Sequence, residues 1–181
     1  MLSRGVLRAP KGECHLFLKD VFEHAENLLA IVVPPEDPDE EFARRLADCA
    51  DIFRRRCHLA GHHLYRGDDA RRLEQLAQLG RRCNAPLVAT NDAHYHEPRR
   101  RILQDVLSCI REGCTIDEAG WRLHANAERH LKEPAEMARL FHRHPDAIAR
   151  SVEIAERCAF SMEEVKYEYP VEAGINDRSA E

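Results

Sequence analysis

No stretch of the sequence is apolar over the ~18 residues that a helix needs to cross a bilayer, so the sequence predicts no transmembrane segment. Residues 1–10 contain no apolar core of the length found in signal peptides. The 7 cysteines include no Cys-x-x-Cys pair, and the ligand spacings of a structural zinc site are missing. We therefore expect a cytoplasmic protein with reduced cysteines and no membrane partner.

An excess of positive charge is missing as well. The 27 lysine and arginine residues are outnumbered by 32 aspartate and glutamate residues, which gives a formal net charge of -5. A free-standing nucleic-acid-binding domain usually carries a basic excess, so this class is disfavoured. Three arginine clusters, at residues 54–56, 81–82 and 99–101, are interpreted as solvated helix faces and ends. The 181 residues, of which 44% are hydrophobic, suffice for one globular domain with a core.

In the first half of the chain, short apolar runs alternate with amphipathic stretches. The apolar runs predict strands at residues 14–18, 28–33, 57–65 and 86–90. Helical spacing predicts a helix over residues 37–56 with the stripe Phe42, Leu46, Cys49 and Phe53, and a second helix after Gly67-Asp68 with the stripe Leu73, Leu76 and Ala77. This alternation predicts an α/β fold, with a parallel sheet or barrel and helices outside it.

The pattern becomes helical further along. A helix over residues 98–112 has Leu103, Val106, Leu107 and Ile110 on one face. Further helices begin at Pro134 and Pro145, and residues 165–170 read as extended. We therefore predict a barrel portion at residues 1–113, a helical segment at 114–160 and an extended tail at 161–181, where the chain reads as cut from a larger protein or frayed.

A polar cluster follows the last predicted strand. The segment from Pro86 to His96 reads PLVATNDAHYH, so Asp92, His94 and His96 come soon after the apolar run. In extended backbone, residues two apart point the same way, and these side chains would then share a face. A carboxylate beside an imidazole suits a divalent metal such as zinc or manganese. An Asp–His pair that only orders the loop is an equally good interpretation.

Other polar pairs are weaker candidates. His62 and His63 end the preceding predicted strand, where adjacent side chains face opposite ways, so at most one can reach the same centre. Asp68 and Asp69 are interpreted as a helix N-cap. Glycine-rich phosphate loops and the Gly-x-Ser-x-Gly elbow are missing, and we assign no catalytic residue.

Longer stretches resemble a known family. The segments PLVATNDAHYH, RRRILQDVLSCIREGCTIDEAG and ANAERHLKEPAEMARLF resemble the polymerase-and-histidinol-phosphatase (PHP) domain of bacterial error-prone DNA polymerases of the C family. The match extends more loosely over residues 10–172. It implies the C-terminal part of a distorted, TIM-like PHP barrel followed by a helical segment that leads toward a palm domain. The family's opening His-x-His motif and the palm aspartates are not in this sequence.

The resemblance also implies which residues belong to a metal site. The Asp-x-His motif of metal-competent PHP domains falls on Asp92 and His94, and a retained histidine falls on His63. A cysteine ligand of relatives is replaced by Pro34 and a glutamate ligand by Gly61. These replacements remove ligands, so the resemblance implies a vestigial zinc or manganese site and a mostly structural barrel, with His96 as a weak further donor.

Three functions remain open at this point. The first is a scaffold segment of an error-prone DNA polymerase for translesion synthesis, whose partners are the rest of the polymerase chain and, through it, DNA. In that enzyme Mg²⁺ would be held by carboxylates outside this segment. The second is a stand-alone, metal-dependent phosphoesterase of the histidinol-phosphatase type. The third is a binding module that uses an exposed apolar face.

Overall fold

The computed structural model describes residues 1–164. Its strands and α-helices are α1 (Leu2–Arg8), α2 (Leu18–Glu23), β1 (Ala30–Val32), α3 (Glu40–Phe53), β2 (Cys57–Gly61), α4 (Asp69–Arg82), β3 (Leu87–Ala89), α5 (Arg101–Glu112), α6 (Ile116–Ala119), α7 (Pro134–Leu140) and α8 (Pro145–Arg157). Short 3-10 turns lie at Arg54–Arg56, Pro98–Arg100, Gly120–Arg122 and Met162–Glu164.

The three strands form one parallel sheet in the order β1-β2-β3, in which Ala30 pairs with Cys57 and Leu59 with Leu87. Parallel neighbours need a long crossover connection, and α3 and α4 supply the two that this sheet requires. The predicted α/β alternation is therefore confirmed, with a small parallel sheet at its centre.

The core is the apolar layer between this sheet and the crossover helices. The buried side chains that α3 and α4 contribute are Ala43, Leu46, Ala50, Phe53, Leu73, Leu76 and Ala77. The predicted stripe of α4 is confirmed in full. On α3, Phe42 and Cys49 are only half-buried at the rim of this layer.

The predicted strand over residues 14–18 is wrong. Residues 11–17 are irregular, and α2 begins at Leu18. The fully buried Asp20 explains the difference, because its carboxylate accepts the backbone N–H of Phe17 at 2.9 Å and pairs with the Arg8 guanidinium at 2.6 Å. A carboxylate that binds a free N–H at a helix start favours a helix where the apolar run alone indicates a strand.

Helix α5 confirms the helix predicted over residues 98–112, but its apolar face lies at the surface. Leu103, Leu107 and Ile110 are 54%, 53% and 71% exposed. The buried side of α5 carries Asp105, Ser108 and the small side chain of Cys109 instead. Helical periodicity identifies an apolar face, but only packing decides the direction in which that face points.

The predicted helical segment over residues 114–160 contains α6, α7 and α8, interrupted by irregular backbone at residues 123–133. Arg150 of α8 donates to the Leu87 carbonyl at 2.7 Å, which holds α8 against β3. The extended run predicted at residues 165–170 lies outside the described residues, as does the predicted tail beyond the 3-10 turn at Met162–Glu164. Between residues 1 and 164, no helix combines the length and apolar character needed to cross a membrane.

Candidate functional site

Polar side chains gather where β2 and β3 end. His62 follows β2 and Thr90 follows β3, and the ends of parallel strands meet at one edge of a sheet. Thr90 donates its backbone N–H and its hydroxyl to the Gly61 carbonyl, at 2.8 and 3.1 Å. The Nδ1 atom of His62 lies 3.4 Å from the Thr90 hydroxyl oxygen. The two strand ends are thereby fixed side by side.

Asp92 and His94 lie together just beyond this edge. The Nε2 atom of His94 is 3.6 Å from Oδ1 of Asp92, and each side chain is 32% exposed. The two side chains share a side of the chain, as expected, but not because the backbone is extended. Asp92 has a φ of 44°, in the left-handed region that aspartate tolerates better than most residues. A turn, rather than strand alternation, brings them together.

Sequence reasoning missed the residue that contacts both of them, Arg129. Its guanidinium forms an ion pair with Oδ2 of Asp92, and its side chain is 12% exposed. Its backbone carbonyl accepts the N–H of His94 at 2.8 Å. Arg129 comes from the irregular residues 123–133, where no periodicity or short motif points to the strand ends, so no local signal could have identified it.

Residues 123–133, here called the cover segment, run across the strand ends. The Leu131 N–H donates to the Tyr95 carbonyl at 3.2 Å, and Tyr95 and His130 form a parallel bridge. The Asn126 side chain donates to the Leu64 carbonyl at 2.7 Å. These contacts tie the cover segment to the loops that follow both β2 and β3.

The site is electrostatically positive around its histidines. The pKa of His62 is lowered to about 4, first by burial and then by the nearby guanidinium groups of Arg129 and Arg72. The ring of His124, in the cover segment, meets the His94 ring edge-on at 5.1 Å, and burial lowers the pKa of His124 as well. Both effects favour neutral imidazoles at neutral pH.

The other predicted metal ligands lie apart from this contact. His63 packs its ring edge-on against Tyr65 at 4.9 Å, and among the described residues its buried Nδ1 has no hydrogen-bond partner. His96 is 3.3 Å from Glu97 and 64% exposed. Neither histidine forms an ion pair with Asp92 within residues 1–164.

Asp92 and His94 are the two predicted ligands that lie together, and two protein donors are few for a divalent ion. Within the described part of the chain, no three His, Cys, Asp or Glu side chains are grouped so that they could hold a metal. A side chain at Gly61, where the family resemblance implies a glutamate, would start 2.9 Å from Leu73 and Leu87, in the apolar layer rather than in the site. The zinc or manganese assignment of Asp92 and His94 therefore stays a prediction.

The lowered pKa of His62 predicts a pH dependence of stability. In the unfolded chain, His62 takes up a proton near its ordinary pKa of 6.5. In the folded chain, the same imidazole stays neutral until the pH falls to about 4. The stabilisation is therefore complete above the unfolded pKa and is lost as the pH falls through this window. We expect wild-type protein to lose about 2 kcal/mol more than His62→Gln between neutral pH and pH 4.5.

Urea denaturation at several pH values measures this difference. The exposed His142 provides the matched control, and His142→Gln should keep the wild-type profile. If His62→Gln and wild type lose stability in parallel, His62 is not held neutral by its surroundings.

Curated relatives match nearly all of this chain. It is 51% identical over 172 residues to a protein of Caulobacter vibrioides named error-prone DNA polymerase, a match that covers 95% of this chain and 16% of that relative. A Bradyrhizobium protein of the same name is 48% identical over 166 residues, which is 91% of this chain and 14% of the relative. Error-prone DNA polymerase 1 of Agrobacterium fabrum is 41% identical over all 181 residues of this chain, and the match covers 16% of that relative. No family model matches the chain.

Proposed function

We propose that this chain, a homologue of one segment of bacterial error-prone DNA polymerases, forms a structural and non-catalytic part of such an enzyme. The observation that carries the proposal is the 51% identity over 95% of this chain but only 16% of the relative. The whole enzyme would extend a primed DNA template across damaged bases in the cytoplasm. The Mg²⁺ ions for that reaction would be held by carboxylates outside this segment.

The sheet supports the finer proposal that the segment belongs to a PHP barrel. Among the described residues β1 pairs only with β2, so the other edge of β1 has no strand beside it. Ile31 of β1 and Val33, which directly follows it, are 42% and 62% exposed. An open apolar edge invites aggregation unless it is covered, and a further barrel strand would cover it.

The exposed face of α5 supports a contact with the rest of the polymerase. The side chains of this face are 37% to 71% exposed: Ile102, Leu103, Val106, Leu107 and Ile110. A contiguous apolar surface of this kind is typical of an interface. Because the relatives extend far beyond the matched segment, we propose that another domain of the same polymerase chain covers this face.

The test is a chimera in which this chain replaces the matched segment of the Caulobacter polymerase. We expect the chimera to extend a primer with Mg²⁺ and dNTPs at a rate comparable to the parent, and the isolated chain to extend none. Extension by the isolated chain would contradict the non-catalytic role. Loss of extension in a folded chimera would contradict the scaffold role.

A matched pair of substitutions in the chimera tests the α5 face. Leu103 and Val152 are both 54% exposed, but only Leu103 belongs to that face. Leu103→Asp should reduce primer extension by about tenfold or more, since an unpaired charge in a dry interface is costly. Val152→Asp should leave it near the parent value. Equal effects of the two changes would exclude the α5 face as the contact.

A stand-alone, metal-dependent phosphoesterase is the second candidate, and the contact between Asp92 and His94 is the observation that favours it. A phosphate-release assay of the isolated chain with Mn²⁺ or Zn²⁺ separates the two proposals. If the wild-type chain releases phosphate and the Asp92→Ala/His94→Ala variant does not, the phosphoesterase becomes the better supported function.

A further inference from the structure

An arginine holds both residues that the family resemblance assigns to a metal. The Arg129 guanidinium pairs with the carboxylate of Asp92, while the Arg129 carbonyl accepts the N–H of His94 at 2.8 Å. The second oxygen of Asp92 remains beside the His94 ring, at 3.6 Å. One residue therefore engages the whole Asp-x-His motif, through its side chain and its backbone at once.

Arg129 is suited to be a permanent cation at this place. Its side chain is 12% exposed, and among the described residues Asp92 is its one ion-pair partner. A guanidinium stays charged at every pH that the fold survives and presents donors that match a carboxylate. A partly buried carboxylate is costly without a countercharge, and Arg129 supplies that charge.

We propose that Arg129 is a built-in cation that takes the place of a metal ion at Asp92 and fastens the cover segment across the strand ends. A divalent ion bound to Asp92 would lie within a few ångströms of the guanidinium, and like charges repel strongly at that separation in a partly buried site. The chain thus obtains from its own sequence the positive charge that a metal would otherwise bring. This inference concerns the site itself and holds whether or not the segment acts in a polymerase.

The same ion pair has a structural consequence. The cover segment contains no regular helix or strand of its own, and its contacts include hydrogen bonds from Asn126 to the Leu64 carbonyl at 2.7 Å and from Arg101 to the His124 carbonyl at 2.6 Å. The pair between Arg129 and Asp92 adds a charge-assisted contact at the centre of the segment. Its loss should release the cover segment and leave Asp92 without a countercharge.

Metal titration of the purified chain tests whether Arg129 takes the place of a metal ion. With Zn²⁺ and Mn²⁺ as probes in calorimetry, Arg129→Met should bind at least about tenfold more tightly than wild type, because the competing charge is gone. Arg129→Lys, which keeps the charge, should bind as weakly as wild type. Equal affinities of wild type and Arg129→Met would overturn the proposal, and so would a stoichiometric metal in purified wild-type protein.

Thermal unfolding provides an independent readout. We expect wild type to be insensitive to EDTA, and Arg129→Met to unfold about 5 °C lower. Arg45, whose pair with Glu41 is exposed on both sides, gives the control, and Arg45→Met should change the midpoint by about 1 °C or less.

A double substitution keeps the test decisive if Arg129→Met does not fold. Asp92→Asn leaves Arg129 unpaired, so Asp92→Asn/Arg129→Met should melt higher than Asp92→Asn alone. If Arg129→Met is as destabilising in the Asp92→Asn background as it is in wild type, the two charges are not coupled and Arg129 is not the countercharge of Asp92.

Discussion

Replacement of Phe141 by alanine is expected to lower the free energy of unfolding by about 3–5 kcal/mol, because a buried phenyl ring is lost and a cavity is left in its place. Phe141 follows α7, is 1% exposed and is among the largest fully buried side chains of the described residues. Urea denaturation measures the change. The matched control is Phe160, which is 69% exposed and whose removal should change stability by about 0.5 kcal/mol or less.

The position of Phe141 in the core explains the size of this effect. It belongs to the same apolar cluster as Leu46 of α3 and Leu59 of β2, together with Ala147 of α8. It therefore joins the helices that follow the cover segment to the sheet that precedes it. A loss below about 1 kcal/mol would mean that these helices do not share a core with the sheet.

Removal of the Asp69 carboxylate is expected to cost about 2–4 kcal/mol, because it would leave several backbone donors without a partner. Asp69 is 5% exposed and accepts the N–H groups of Leu64, Arg66 and Gly67 at 2.7, 2.6 and 3.2 Å. The same loop presents the Leu64 carbonyl to Asn126. Asp69→Ala should therefore also loosen the cover segment, which amide hydrogen exchange would detect.

The pKa of Asp69 gives this prediction a pH dependence. Burial alone would raise the pKa, but the backbone donors outweigh burial and hold it below the usual value of 3.8. The stabilisation is thus present above the unfolded pKa and is lost as the pH falls through the folded pKa. At strongly acidic pH, wild type and Asp69→Ala should converge in stability.

Asp68 is the control for Asp69. It stands at the N-cap of α4, where the sequence suggests a capping role, but its side chain caps no backbone N–H and pairs instead with Arg71 at 3.0 Å. Its side chain is 48% exposed, so Asp68→Ala should cost about 1 kcal/mol or less. Similar losses for the two substitutions would show that the loop does not depend on Asp69.

Sequence patterns by themselves determined the local elements. Period and length predicted the alternation of β1, α3, β2, α4 and β3, because each element must bury one apolar face. Proline at a helix start predicted α7 and α8, since proline suits the first helical turn. The quoted segments also identified the polymerase family, which the relatives confirm at the level of a matching segment.

The tertiary structure alone decided how these elements are used. The apolar face of α5 points to the surface, and Asp92 meets Arg129 through a loop whose path no periodicity specifies. Likewise, the Asp20 carboxylate starts a helix within an apolar run that predicts a strand. The physical reason is the same in each case. Periodicity reports interactions within one element, whereas ion pairs, caps and the direction of a face depend on groups that only folding brings together.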